Sequence, residues 1–108
     1  MDEQEFRTHC DTAMRRLFSA LVTASDEYDF EVDENSGALT VEFEEPRAKF
    51  VVSPNAPVRQ VWVSALTRSF KLDWDAARQE FLLPDSGQSL LELMGDVISK
   101  QTGENVQL

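Results

Sequence analysis

A chain of 108 residues with 20 acidic and 10 basic side chains, a net charge of −10 and an isoelectric point near 4.4, has enough sequence for one core and not for two. With 42% hydrophobic residues, including seven Phe, two Trp and one Tyr, it is too rich in core-forming side chains to be a disordered acidic tail. The acidity also excludes two partner classes, nucleic acid and anionic membrane, because both are bound mainly through Lys and Arg.

The single cysteine, Cys10, allows no intramolecular disulfide, and no Cys/His cluster supplies the soft ligands of zinc or an iron–sulfur cluster. A reducing cytoplasm is the expected compartment. The opening Met1-Asp2-Glu3-Gln4-Glu5 is acidic where a presequence is basic, so a mitochondrial matrix is expected only if a presequence has been removed. No apolar run approaches the roughly 18 residues of a membrane span.

From Asp2 to about Ala24, Phe6, Cys10, Ala13, Met14, Leu17, Phe18, Leu21 and Val22 recur at helical steps without Gly or Pro, which predicts an amphipathic helix. The acids at 2, 3 and 5 suit its positive end. After Ser25 the period becomes two. Tyr28, Phe30 and Val32 alternate with Asp29, Glu31 and Asp33, then Asn35-Ser36-Gly37 turns the chain into Leu39, Val41 and Phe43 alternating with Thr40, Glu42 and Glu44. This predicts a hairpin with an acidic outer face. Further strands are predicted at Lys49–Ser53, Gln60–Ser64, Phe70–Trp74 and Glu80–Leu83, the first of them closed by a turn at Pro54-Asn55-Ala56-Pro57. Pro84-Asp85-Ser86-Gly87 ends the strand series. Ser89 with Glu92 then forms a capping box for a second helix, from about Ser89 to Thr102, that stops at Gly103.

Short connections require antiparallel pairing. The fold class expected is therefore α+β: a two-layer sandwich in one domain spanning residues 1–108, with an antiparallel sheet of about six strands. N- and C-terminal helices pack on one face, and the other face meets water.

Two features carry chemistry. The first is charge segregation: Met1 to Glu45 holds 13 acids and 3 bases, whereas Pro46 to Leu108 holds 7 of each, so one part of the molecule carries the whole net charge. Within it, Asp29, Glu31 and Asp33 are expected on one strand face, and Asp26 and Glu27 at the helix-to-strand corner. Crowded carboxylates of this kind are relieved by a hard, oxygen-liganded cation, or simply by water. An EF-hand is excluded, since the sixth position from Asp29 is Glu34 and the twelfth is Thr40. The second feature is Trp62. If Val61 and Val63 face the helices, then Gln60, Trp62 and Ser64 face solvent, and an exposed Trp among polar neighbours has the chemistry of a binding hot spot. His9 is expected on the helix surface and Cys10 in the core. No Ser/His/Asp triad, P-loop or dinucleotide fingerprint is present.

Taken together, the acidic first helix and strand, Ser36-Gly37-Ala38-Leu39-Thr40-Val41, Asn55-x-Pro57-x-x-Gln60-Val61-Trp62-Val63-Ser64, Asp73-Trp74 and Asp85-Ser86-Gly87-x-Ser89-Leu90-x-Glu92-Leu93 resemble the frataxin family in its short bacterial form. The resemblance implies a non-enzymatic regulator or iron donor of iron–sulfur cluster assembly. It would bind ferrous or ferric iron weakly and dock on the cysteine desulfurase and scaffold as a monomer, with iron-induced oligomers as a second state. No organic cofactor is implied. Iron would fall on Asp26, Glu27, Asp29, Glu31, Asp33 and Asp11, and partners on Asn55, Gln60, Trp62, Asp29 and Glu31. Where family members usually place acids, this chain has Leu17-Phe18-Ser19-Ala20-Leu21-Val22-Thr23 after Arg15 and Arg16, which thins the acidic ridge. The alternatives are a metal-independent acidic interaction module and a storage or ferroxidase-like protein. The latter would need a carboxylate-bridged diiron site, for which the usual Glu-x-x-His pairs are missing.

Overall fold

A computed structural model describes all residues, Met1–Leu108. Helix α1 spans Glu3–Ser25, and the strands are β1 (Glu31–Asn35), β2 (Ala38–Glu44), β3 (Arg47–Asn55), β4 (Gln60–Ala65), β5 (Arg68–Asp75) and β6 (Glu80–Leu82), followed by α2 (Leu90–Thr102). All neighbouring strands pair antiparallel in the order β1-β2-β3-β4-β5-β6, so the sheet is an open meander with both helices on one side.

Local chemistry sets the element ends. Asp2 caps α1 by accepting from the Glu5 amide at 2.8 Å. At α2 the capping box is complete: Ser89 Oγ accepts from Glu92 N at 3.2 Å, and Glu92 Oε1 accepts from Ser89 N at 2.9 Å. The backbone bond from Ser89 is the main reason that the Glu92 carboxyl lies below its ordinary value of 4.5. Ser36 and Gly37, at φ 53° and 85°, make the mirror-image turn that matches the twist of the β1–β2 hairpin. Leu66 and Thr67 make the equivalent β4–β5 turn at φ 54° and 60°, although neither is glycine.

Alternation then sorts the side chains. Leu39, Val41, Phe43, Phe50, Val52, Val61, Val63, Ala65, Leu72 and Phe81 are buried on one sheet face, against Phe6, Cys10, Met14, Leu17 and Leu21 of α1 and Leu93, Met94, Val97 and Ile98 of α2. Phe6 meets Phe81 edge-on at 5.9 Å, which sets the start of α1 over β6. Its C-terminal end leads into β1, so α1 crosses the sheet. Val106, buried in the tail, donates its amide to Ser99 Oγ at 2.8 Å and ties the chain end to α2.

Three expectations require correction. Tyr28 and Asp29 precede the first strand, which starts at Glu31; the Tyr28 hydroxyl instead donates to the Asn105 carbonyl at 3.3 Å. Pro54 and Asn55 belong to β3, opposite Val61 and Gln60, and the turn is a short 3-10 segment at Ala56–Val58. Pro54 is tolerated there because it lies near the end of its strand. His9 is half-buried rather than on the helix surface: its ring stacks on Trp74, with centroids 3.9 Å apart and planes at 13°.

Candidate functional site on the open sheet face

The helix-free face of the sheet carries the polar half of each alternating strand. Its register makes a small lattice at the centre. Asn55, Gln60 and Asp73 lie side by side in one row across β3, β4 and β5, and Ser53, Trp62 and Lys71 in the next. Trp62 is 36% exposed, a value set by its neighbours. Its indole Nε1 donates to Gln60 Oε1 at 2.9 Å, Gln60 Nε2 donates to Asp73 Oδ1 at 3.0 Å, and the Lys71 ammonium lies 4.8 Å from the ring centroid. The sequence places Gln60 and Trp62 on this face and Asn55 in the turn before it, whereas Asn55 is the last residue of β3. The sequence does not reveal Asp73 and Lys71 as their neighbours, because cross-strand register is set by turns that alternation alone does not count.

The acids occupy the other end. Glu31 and Asp33 face outward on β1, with Glu31 directly opposite Glu42 of β2; such partners hold their Cβ atoms about 4.5–5.5 Å apart. Asp29 lies just outside the strand, so it does not extend the ladder. With Glu31, Glu42 and Glu44 it instead lines a shallow depression of about 450 Å³ that also contains Arg47 and Lys49. Arg47 and Lys49 sit opposite Glu44 and Glu42 in the β2–β3 register. Sequence reading recognised the acidic outer face of the hairpin but singled out neither Glu42 nor Glu44.

Asp26 caps the C-terminus of α1, Glu27 is exposed in the next turn, and Asp11 is exposed farther back on the helix. The six expected iron ligands therefore spread over a helix face, a corner and an edge strand, and no three His, Cys, Asp or Glu side chains converge as a metal-binding group. Their donors are hard oxygens throughout, the type iron accepts. The structure has three ion pairs, and of the acids in the first 45 residues only Glu3, which meets Arg7 at 3.6 Å, belongs to one. The other acids of this part form no close ion pair: Glu42 and Glu44 have Lys49 and Arg47 across the register, whereas Glu31 and Asp33 on the edge strand β1 face Glu42 and Thr40 and have no base opposite them.

On α1, Phe18 and Val22 are 36% and 41% exposed, one turn apart, where the sequence carries apolar residues in place of acids. Cys10 faces the core, and burial, with the neighbouring Asp11 charge second, pushes its thiol up to about 11. It is not a reactive group at neutral pH.

The family model described as a Frataxin-like domain matches residues 1–104. The chain belongs to the frataxin family. Among its relatives, the iron-sulfur cluster assembly protein CyaY of Dechloromonas aromatica (strain RCB) is 30% identical over 108 residues, covering 100% of this chain and 99% of its own. The protein of the same name from Azotobacter vinelandii is 31% identical over 86 residues, 80% of this chain and 77% of the other. Among solved structures, the frataxin from Psychromonas ingrahamii superposes with a TM-score of 0.78 at 27% identity, covering 99% of this chain and 97% of its own. Yeast frataxin shares the fold at a TM-score of 0.72 and 17% identity, over 93% and 82% of the two chains. The frataxin architecture expected from the sequence is thus the one observed.

Proposed function

We propose that this chain serves iron–sulfur cluster assembly as a non-enzymatic, iron-binding regulator or iron donor. It docks on the cysteine desulfurase and scaffold through two regions of one surface. The observation that carries this reading is the arrangement of the open sheet face: an exposed Trp62 with Gln60 and Asn55 at the centre, and an acidic end whose edge carboxylates, Asp29, Glu31 and Asp33, belong to no ion pair. Its relatives are named as iron-sulfur cluster assembly proteins, which supports the same role.

Each region has its own task. The acidic end, with Asp29 and Glu31 at its edge, attracts a basic patch on the desulfurase over a distance of about a Debye length and raises the association rate. Trp62 supplies short-range apolar contact to the scaffold at little cost in side-chain freedom. Iron is cargo in this reading. Asp11, Asp26, Glu27, Asp29, Glu31 and Asp33 bind it in ones and twos through solvated carboxylates, which yields weak and exchangeable binding.

A second reading, a metal-independent acidic interaction module, is favoured by the lack of any three-ligand group. Pull-down of the desulfurase and scaffold with and without added iron separates the two. Retention that rises with iron supports the first reading, and retention indifferent to iron supports the second. A catalytic turnover of ferrous to ferric iron under oxygen would instead support a ferroxidase.

A further inference from the structure

The hydrogen bonds around Trp62 have a direction that only one arrangement of Gln60 satisfies. An indole N–H can only donate, and an ionised carboxylate can only accept. Gln60, between them, has one end of each kind. Asp73, its direct neighbour across β4 and β5, accepts from Nε2 at 3.0 Å and thereby selects the amino end of the amide. The carbonyl end is left for Trp62, whose Nε1 it holds at 2.9 Å. Were the amide reversed, two donors would meet at the indole and two acceptors at Asp73. The orientation of the tryptophan is therefore decided one strand away from it.

A further contact acts on the same ring. Lys71, directly opposite Trp62 in the register, places its ammonium 4.8 Å from the ring centroid, and Ser53 flanks it from β3. The indole thus has a satisfied N–H and a partner over its face, yet the residue stays 36% exposed. What remains for a docking protein is apolar ring surface that needs no hydrogen-bond acceptor.

We propose that Asp73 is a positioning residue of the docking face: through Gln60 it holds Trp62 in its binding orientation before the partner arrives. The proposal rests on the reading of Trp62 as the scaffold contact and deepens it. Asp73 itself need not touch the partner. Freezing one aromatic side chain in advance spares its ordering on association, an advantage of roughly two- to tenfold in affinity.

The test uses the full chain and has two readouts. In the free protein, the indole N–H of Trp62 is followed by NMR for hydrogen exchange with solvent. In the complex, affinity for the purified scaffold is measured by titration. Asp73→Ala is expected to speed indole exchange and weaken binding roughly two- to tenfold, with the melting temperature unchanged because the side chain is exposed on the outer face. Asp73→Asn keeps an acceptor oxygen for Gln60 Nε2 and is expected to restore both readouts. Gln60→Ala, which removes the bridge from the other side, should reproduce Asp73→Ala. Unchanged indole exchange in Asp73→Ala, or faster exchange with unchanged affinity, overturns the proposal. So does an Asp73→Asn variant as weak as Asp73→Ala, since charge rather than positioning would then be at work. If Trp62→Ala itself binds as tightly as wild type, the docking reading falls and the proposal with it. If Trp62→Ala loses binding while Asp73→Ala does not, the positioning role alone is wrong.

Discussion

Trp74 and His9 stack ring on ring at 3.9 Å across the gap between the sheet and α1, and Phe81 meets the same indole edge-on at 5.1 Å. The two tryptophans of this chain therefore have opposite uses: Trp74 joins layers, and Trp62 stands outside them. Truncating Trp74 to Ala is expected to cost about 3 kcal/mol, at the lower end for aromatic cores because the ring is only partly buried. His9→Ala should cost about 1 kcal/mol through loss of the stack. Urea unfolding of both variants checks this, and a Trp74→Ala protein as stable as wild type would contradict the packing.

The β4–β5 turn contains a removable strain. Thr67 is β-branched and sits at φ 60°, a conformation glycine adopts freely and L-residues adopt at a cost of roughly 1–2 kcal/mol. Thr67→Gly is expected to raise stability by about 1 kcal/mol, less than the full relief because glycine gains freedom in the unfolded chain. A lowered denaturation midpoint would show that the threonine hydroxyl, which donates to the Leu66 carbonyl at 2.6 Å, outweighs the strain.

Acid sensitivity follows from the capping box of α2. The Glu92 carboxyl is held below 4.5 chiefly by the backbone hydrogen bond from Ser89, so its stabilisation is complete above the unfolded value and is lost as pH falls through the lower folded one. The melting temperature of Glu92→Ala should lie below that of wild type at pH 7, and the gap should close on acidification below about pH 4. Thermal melts across this range test it; a gap independent of pH would mean that the carboxylate charge is not what the cap uses.

How far the fold was legible depended on the kind of pattern. Alternation at Leu39, Val41 and Phe43, or at Val61 and Val63, separates the two faces of a strand, and these residues are the buried ones; the Ser89/Glu92 pair marks its helix start to within a residue. At Tyr28-Asp29-Phe30 the same alternation persists although the chain has no strand partner there, so the ladder of three carboxylates was too long by one. A proline near a strand end carries the same local signal as one in a turn, so Pro54 gives no sign that β3 continues through it. The His9–Trp74 stack and the Asp73–Gln60–Trp62 chain join residues distant in sequence. No local period carries them; they appear only once register and helix crossing are known.

The acidic end should behave as an electrostatic surface. Replacing Asp29, Glu31 and Asp33 together by Asn, Gln and Asn removes like charges and is expected to stabilise the protein by up to about 1 kcal/mol, a rise of roughly 4 °C at low salt. The same variant should bind the desulfurase more slowly and with a smaller salt dependence. Added salt should raise the wild-type melting temperature as well. A wild-type melting temperature indifferent to salt, or an unaltered association rate at low salt, would show that these acids do not act as a unit.

The most direct test of the docking face pairs stability with binding in Trp62→Ala. Because the ring lies on the open face and outside the buried core, its removal should change stability by only about half a kcal/mol. A hot-spot tryptophan nevertheless contributes about 2 kcal/mol or more to association, a loss of roughly thirtyfold in affinity. Denaturant unfolding alongside titration with the assembly scaffold is expected to give a protein that unfolds with wild type and fails to dock. A Trp62→Ala protein that docks with wild-type affinity would contradict the account.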